Sequence, residues 1–310
     1  MRTILATISA AVFLALGAPS AHAVAERAPH EANHRVCPEV AVVAARGSEQ
    51  NMDLEPTRYV DGSIWESNGY EASVISALLT DAEARHVDAT GESLLRDVPV
   101  LALDESVYPA ALPLPVIVEE GEEIAALELA SRVNRLLRET PLPTIAEEAA
   151  TGFLASMRAG VNGTVPRIQE WEKTTGCAPQ YLLVGYSQGA LVLTAQEQEL
   201  AEAGRLAGVL YLGNPLLTPD DPSAVGGAAS GGLLRAVPAE VQRTASGVPR
   251  INYCLAGDFV CDTSLDALTS AASHGGVGRH EAYFTAEDAD ATDAVVAERF
   301  ASWILQAQGR

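Results

Sequence analysis

A serine stands between two glycines with the spacing Gly-x-Ser-x-Gly, at the end of an apolar run and the start of a helical pattern. In a strand–turn–helix unit, Gly185 and Gly189 would let the helix fold back against the strand and leave the hydroxyl of Ser187 exposed. The backbone N–H of Gln188 would then lie at the helix N-terminus and face a developing oxyanion. Chance matches to this motif are common, so the motif alone does not identify a nucleophile. A nucleophilic Ser187 also needs a base and an orienting acid elsewhere in the chain.

The acid and the base are expected downstream of Ser187. Asp258 lies in a turn between Cys254 and Cys261, where a short disulfide would hold its carboxylate, although Gly-Asp is also an ordinary turn pair. Of the six histidines, only His274 and His280 follow Asp258. The order Ser…Asp…His is that of α/β-hydrolases, and it leaves both histidines open as the base.

Alternating apolar runs and helical patterns indicate the elements that must position these side chains. The chain is predicted to be an α/β protein with one doubly wound, mostly parallel sheet of about five strands and helices on both faces. Residues 50–75 carry mixed turn signals with room for a helix. The predicted strands are 40–45, 98–103, 181–184, 207–212 and 251–255, and the predicted helices are 122–138, 145–173, 188–203, 265–273 and 291–306. Ligand sites of such sheets lie at the carboxyl ends of the strands, where Ser187 and Asp258 stand.

Composition and the N-terminal segment restrict the class of protein. The 310 residues carry 41 acidic and 20 basic side chains, and a net charge of −21 disfavours nucleic acid and anionic lipid as partners. Residues 1–23 have a basic start, a short apolar core and a small-x-small end, which is typical of a secretory signal peptide. The alternative is a membrane anchor, but the apolar core is shorter than the roughly 20 residues that a span requires. Residues 24–36 are predicted to be flexible, and 37–310 to form a single catalytic domain.

The four cysteines suggest two disulfides in an exported protein. Three pairings are possible. A local bridge between Cys254 and Cys261 is plausible, and it would leave Cys37 with Cys177. A zinc site is the competing interpretation, but no Cys-x-x-Cys pair supports it.

Four separated segments together resemble the cutinase family of serine esterases, in the α/β-hydrolase superfamily. They are "ARGSEQ" from Ala45, "CAPQYLLVGYSQGA" from Cys177, "CLAGDFVC" from Cys254 and "HEAY" from His280. The resemblance spans nearly all of the chain after residue 36, and it points to a bacterial, secreted cutinase-like protein.

The resemblance implies a role for each candidate residue. It implies that Ser187 is the nucleophile, that Asp258 is the acid and that His280 is the base, with His280 favoured over His274 because only His280 has a tyrosine three residues on. It implies an oxyanion hole formed by the backbone N–H and hydroxyl of Ser48 and by the backbone N–H of Gln188. It also implies the bridges Cys37–Cys177 and Cys254–Cys261, and it implies neither a cofactor nor a metal.

Two segments depart from the family pattern, at about 119–140 and 224–246. They lie where substrate access is set, so they leave the acyl preference open, together with the existence of a lid. The expected function is a secreted carboxylic-ester hydrolase for short- to medium-chain esters, a cutin-like polyester or lipid esters. The expected partner is that ester alone, with no nucleic acid and no stable membrane insertion, and the protein is expected to be a monomer.

Three other functions are alternatives to ester hydrolysis. An acyltransferase for a cell-envelope acceptor would use the same residues, and product analysis would distinguish it from a hydrolase. A polysaccharide deacetylase like the acetylxylan esterases differs only in its substrate. A binding protein on an inactive scaffold would lack a member of the Ser-His-Asp set, and none is lacking in this sequence.

Overall fold

Six strands form a single sheet in which every paired strand is parallel, as the computed structural model of the chain shows. They are β1 (Val40–Ala45), β2 (Val100–Ala102), β3 (Gln180–Tyr186), β4 (Leu206–Leu212), β5 (Ala224–Gly226) and β6 (Arg250–Cys254), in the order β2-β1-β3-β4-β6-β5. The predicted α/β class is confirmed. The sheet has six strands where about five are predicted, and the additional strand is β5, three residues long, in a segment that the sequence pattern assigns to a loop.

The structure describes residues 37–52, 54–115, 126–227, 230–238, 243–273, 278–285 and 290–310. The predicted signal peptide, the predicted flexible segment 24–36 and the alternative base His274 lie outside these residues. Parts of the two predicted insertions also lie outside them, namely 119–125 of the first insertion and 228–229 with 239–242 of the second. Within the described part of the chain, no helix is long and apolar enough to span a membrane.

The helices of the described residues are α1 (Ala72–Thr90), α2 (Ala126–Glu139), α3 (Leu142–Thr175), α4 (Gln188–Thr194), α5 (Glu197–Glu202), α6 (Leu265–Ser273) and α7 (Ala291–Ala307). Helix α1 extends well beyond the segment 50–75 in which a helix was considered. The single helix predicted over 188–203 is two helices, α4 and α5. The side-chain amide of Gln196 donates to the carbonyl of Val192, and its backbone N–H donates to Leu193 instead. In a continuous helix the backbone N–H of Gln196 would donate to the carbonyl of Val192. The side-chain amide takes that acceptor, so α4 ends before Gln196.

Two apolar layers enclose the sheet, one on each face. In β1, Val40, Val42 and Ala44 pack with α1 and α7, whereas the alternate residues pack on the side of α3 and α4. Successive side chains of a strand point to opposite faces, so a strand that is buried on both faces is apolar throughout. This is the pattern from which β1, β3 and β4 were predicted.

The strand order places a topological switch between β1 and β3. The chain leaves β1 for β2 on one side and returns to β3 on the other side, so the connections that follow β1 and β3 diverge. In open α/β sheets the ligand crevice lies at the carboxyl ends of such a strand pair. Here those ends lead into the loop 46–51 and into Ser187.

Two disulfides are present, and both have the predicted pairing. Cys37–Cys177 joins the segments that precede β1 and β3, at the opposite edge of the sheet from Ser187. Cys254–Cys261 closes a loop directly after β6. The first bridge therefore supports the sheet, and the second holds the loop that carries Asp258.

Candidate active site

The turn between β3 and α4 is sharp and strained. Ser187 has φ 53° and ψ −118°, a conformation with positive φ that residues other than glycine rarely adopt. A Cβ atom on Gly185 would lie 2.7 Å from the Cα of Ala190, and one on Gly189 would lie 1.9 Å from the carbonyl oxygen of Ala45. Both glycines are therefore required by close approach, because α4 packs directly against the ends of β3 and β1.

Ser187, His280 and Asp258 form one hydrogen-bonded chain. The Nε2 atom of His280 is 2.9 Å from the Oγ atom of Ser187, and its Nδ1 atom is 2.9 Å from Oδ2 of Asp258. A carboxylate only accepts hydrogen bonds, so Nδ1 carries the proton in the neutral ring and Nε2 faces the serine hydroxyl as an acceptor. This is the geometry in which a histidine takes the proton of a serine.

Asp258 is fully buried in the loop that Cys254–Cys261 closes. Its Oδ1 atom accepts a hydrogen bond of 2.8 Å from the backbone N–H of Val260. Its Oδ2 atom accepts one of 2.5 Å from the hydroxyl of Tyr283, in addition to the bond from His280. A buried carboxylate requires such partners, because an unpaired charge in the protein interior is costly.

Tyr186, the last residue of β3, contacts both the backbone and the ring of His280. Its hydroxyl donates to the backbone carbonyl of His280 at 2.9 Å, and its ring lies against the imidazole with a centroid distance of 4.9 Å. Burial raises the pKa of Tyr186 well above its usual value, and the nearby Asp258 carboxylate raises it further. Tyr186 therefore remains a neutral donor that fixes the His280 backbone.

Gly213 follows β4 and fits between the histidine and the acid. A Cβ atom on it would lie 2.6 Å from Cε1 of His280 and 3.0 Å from Oδ2 of Asp258. Its φ of +57° is also one that favours glycine. Gly213 is not among the predicted site residues, although a glycine directly after a central strand is a signal for such a position.

The side chains of Ser48 and Gln188, the predicted oxyanion residues, are in direct contact. The hydroxyl of Ser48 donates to Oε1 of Gln188 at 3.1 Å, and the Gln188 side chain is buried. The Nε2 atom of Gln188 reaches the carbonyls of Ala111 and Phe153, at 3.4 and 3.5 Å. Gln188 begins α4, where the first backbone N–H groups have no acceptor within the helix.

Arg46 fixes the loop that carries Ser48, a role that sequence reasoning missed. Its guanidinium is fully buried and donates to the carbonyls of Leu103 and Tyr108, at 2.8 and 3.1 Å, and to Oδ1 of Asn51. It also lies over the rings of Tyr70 and Tyr108, at 5.1 and 5.4 Å from their centroids. Burial lowers the pKa of Arg46 from its usual value, and the neighbouring tyrosines oppose that effect.

The structure thus brings Ser187, Asp258 and His280 into direct contact and places Ser48 against Gln188. His274 cannot be compared with His280, because it lies outside the described residues. No group of three or more His, Cys, Asp or Glu side chains suited to a metal ion occurs within the part of the chain that the structure covers.

No family model matches the chain, and no curated protein matches it either. Among solved structures it is similar to a cutinase-like protein from Cryptococcus sp., at 18% identity and a TM-score of 0.46, with 89% of this chain and 97% of that chain covered. It is also similar to the catalytic core domain of an acetyl xylan esterase from Trichoderma reesei, at 17% identity and a TM-score of 0.46, with 87% and 99% covered. A third match is lysin B from Mycobacteriophage D29, at 15% identity and a TM-score of 0.35, with 88% and 92% covered.

Proposed function

We propose that the chain is a secreted serine hydrolase of carboxylic esters that acts through an acyl-enzyme. The observation that carries the proposal is the hydrogen-bonded chain from Ser187 through His280 to Asp258. The strained turn at Ser187, which is partly exposed, supports its proposed role as an accessible nucleophile. The contact between Ser48 and Gln188 supports the proposal that their backbone N–H groups act on one oxyanion. Two disulfides are typical of exported proteins, which supports secretion.

In the first half-reaction, the Oγ atom of Ser187 attacks the ester carbonyl carbon while Nε2 of His280 takes the serine proton. Asp258 holds Nδ1–H and stabilises the positive imidazolium that forms. The carbonyl oxygen becomes negative in the tetrahedral intermediate, where the N–H groups of Ser48 and Gln188 are the proposed donors. The intermediate collapses when His280 protonates the leaving alcohol.

In the second half-reaction, water attacks the ester that Ser187 now carries. Nε2 of His280 takes a proton from that water and then returns it to Oγ as the acid is released. The same donors stabilise the second tetrahedral intermediate. The residues of this chain thus supply every proton transfer that the cycle needs.

We propose that two exposed leucines form an apolar surface on the oxyanion side of the site, which would favour an aliphatic ester as substrate. Leu114 and Leu154 are 59% and 50% exposed. They lie in the segment after Ala111 and directly after Phe153, the two residues whose carbonyls contact the Gln188 side chain. A short- to medium-chain acyl group would be able to cover this surface, as would a polyester or a lipid ester.

The test is Ser187→Ala, assayed on p-nitrophenyl esters of increasing acyl length and on a polyester emulsion. Loss of the nucleophile is expected to lower kcat by about 10⁶-fold on every ester that the unmodified protein cleaves. Ser302→Ala, on α7, is the matched control, because the Ser302 hydroxyl donates to the local carbonyl of Arg299, three residues earlier on the same helix. A fluorophosphonate probe should label Ser187 in the unmodified protein. Retention of esterase activity by Ser187→Ala would contradict the proposal.

A further inference from the structure

Tyr283 makes two hydrogen bonds deep inside the protein, three residues after His280. Its hydroxyl donates to Oδ2 of Asp258 at 2.5 Å and accepts from the backbone N–H of Leu255 at 3.0 Å. The directions are fixed, because the backbone N–H is only a donor and the carboxylate is only an acceptor. The disulfide sulfur of Cys261, 3.6 Å from the same hydroxyl, has no proton to donate and is a weak acceptor. The phenolic proton therefore points at the acid.

The carboxylate of Asp258 is shared by three donors, two of them on the same oxygen. Oδ2 accepts from Tyr283 and from Nδ1 of His280, while Oδ1 accepts from the backbone of Val260. A donor on a carboxylate stabilises its negative charge and leaves less of that charge to stabilise a neighbouring cation. Tyr283 therefore competes with His280 for the same charge.

We propose that Tyr283 is a positioning residue that acts through Asp258 and keeps His280 unprotonated at lower pH than Asp258 alone would permit. The proposal rests on the ester-hydrolase function above and concerns the pH range of that site. Tyr283 needs no contact with the substrate for this role, since it lies behind the acid and is fully buried.

Tyr283 stays a donor over the working range of the site. Burial raises its pKa well above the usual value for a phenol, and the Asp258 carboxylate adds to the effect. The other titratable groups around Asp258, His280 and Tyr283 are the same with and without the Tyr283 hydroxyl. They are Tyr186 of β3, Tyr253 of β6, Asp262 at the end of the acid loop, Arg279 and Glu281 beside His280, and Asp293 of α7.

The experiment compares two changes at position 283 that act in opposite directions. In Tyr283→Phe, the acid limb of the kcat/KM profile is expected to move to higher pH by about half a unit to one unit. On that limb, this corresponds to a loss of about three- to tenfold. Site-specific replacement of Tyr283 by 3-fluorotyrosine strengthens the donor, and it is expected to move the limb to lower pH.

Tyr253→Phe is the matched control. Tyr253 is also fully buried, its ring packs edge-on against Tyr283 at 5.1 Å, and its hydroxyl donates to a different carboxylate, that of Asp293. This variant loses the same kind of hydrogen bond at a similar depth, so a general effect of destabilisation would appear in it as well. Its acid limb is expected to stay in place.

The pKa of the His280 ring is also to be measured directly by NMR, with the signal assigned through a His280→Gln variant. It should rise in Tyr283→Phe and fall in the fluorotyrosine protein. A ring pKa that stays constant or moves the other way in either protein overturns the role of Tyr283. If the unmodified protein cleaves no ester, the proposed function fails, and the NMR titration still decides the proposal about Tyr283. If Tyr283→Phe does not fold, the fluorotyrosine protein decides it.

Discussion

The two halves of the site are held in different ways. The acid–base half, consisting of Asp258, His280 and Tyr283, lies within 26 residues of the chain and is fixed by a disulfide, by buried hydrogen bonds and by tight packing. The oxyanion half, consisting of Arg46, Ser48 and Gln188, is fixed by hydrogen bonds to distant segments. Its acceptors lie after β2, in the irregular chain near residue 111 and in α3.

This difference predicts how each half responds to substitution. Close-packed interiors do not accommodate even one added methyl group without displacement, so the acid–base half should fail abruptly. In the oxyanion half, one substitution removes only some of several hydrogen bonds. Each substitution there should therefore reduce activity by a smaller factor. Substitutions in each half can therefore test this contrast.

Gly213→Ala should break the acid–base half. The new Cβ would lie 2.6 Å from Cε1 of His280 and 2.9 Å from its Nδ1 atom, so the imidazole must move away from Ser187 or from Asp258. We expect kcat/KM to fall by about 10²-fold, since a displacement of about an ångström at reacting groups can cost that much. The measurement is steady-state hydrolysis of a p-nitrophenyl ester, together with urea unfolding.

The control for this prediction is Gly204→Ala. Gly204 also has a positive φ, +67°, but no atom lies within 4 Å of the position of its Cβ. It should therefore lose stability through backbone strain alone, about 1 kcal/mol, and keep its activity. Equal losses of activity in Gly213→Ala and Gly204→Ala would show that the close packing of His280 against Gly213 is not what activity depends on.

The same contrast explains what the sequence could and could not predict. The turn between two cysteines made Asp258 a candidate acid, and the order Ser…Asp…His left His274 and His280 open as the base. The resemblance to the cutinase family then selected Asp258 and, through the tyrosine three residues later, His280. The contacts of Arg46 and of the Gln188 side chain depend on chain around residues 103–111, which has no regular periodicity and is positioned only by the tertiary fold. Likewise, β1 and β3 were predicted from apolar runs, whereas β5 consists of Ala-Val-Gly and is defined only by its pairing with β6.

Arg46→Lys should weaken the oxyanion half by a smaller step. A lysine ammonium lacks the planar fork with which Arg46 reaches Leu103, Tyr108 and Asn51 together. The loop that carries Ser48 would shift, and we expect kcat to fall about tenfold with little change in KM, because a displaced oxyanion donor weakens the transition state more than the bound ester. The measurement is the separate determination of kcat and KM on one ester.

Arg167→Lys is the control for Arg46→Lys. Arg167 lies on α3, is partly exposed and is 3.9 Å from Asp104, and exposed pairs of this kind contribute little. Both kinetic constants should stay the same in this variant. An unchanged kcat in Arg46→Lys would mean that the Ser48 loop keeps its position without the guanidinium.

The smallest change in activity is expected from the two disulfides, and their effects should differ in kind. Cys37–Cys177 closes a separation of 140 residues at the edge of the sheet remote from Ser187, whereas Cys254–Cys261 closes one of 7 residues around Asp258. Loss of unfolded-chain entropy predicts stabilisation of about 5 kcal/mol for the long bridge and about 2.5 kcal/mol for the short one.

Replacing Cys37 and Cys177 by alanine should therefore lower the urea midpoint more, with kcat unchanged while the protein is folded. Replacing Cys254 and Cys261 should lower the midpoint less, yet reduce kcat about threefold, because the buried Asp258 loses part of its support. If the variant without Cys37–Cys177 loses more kcat under folded conditions than the variant without Cys254–Cys261, the position of Asp258 does not depend on the disulfide that closes its loop.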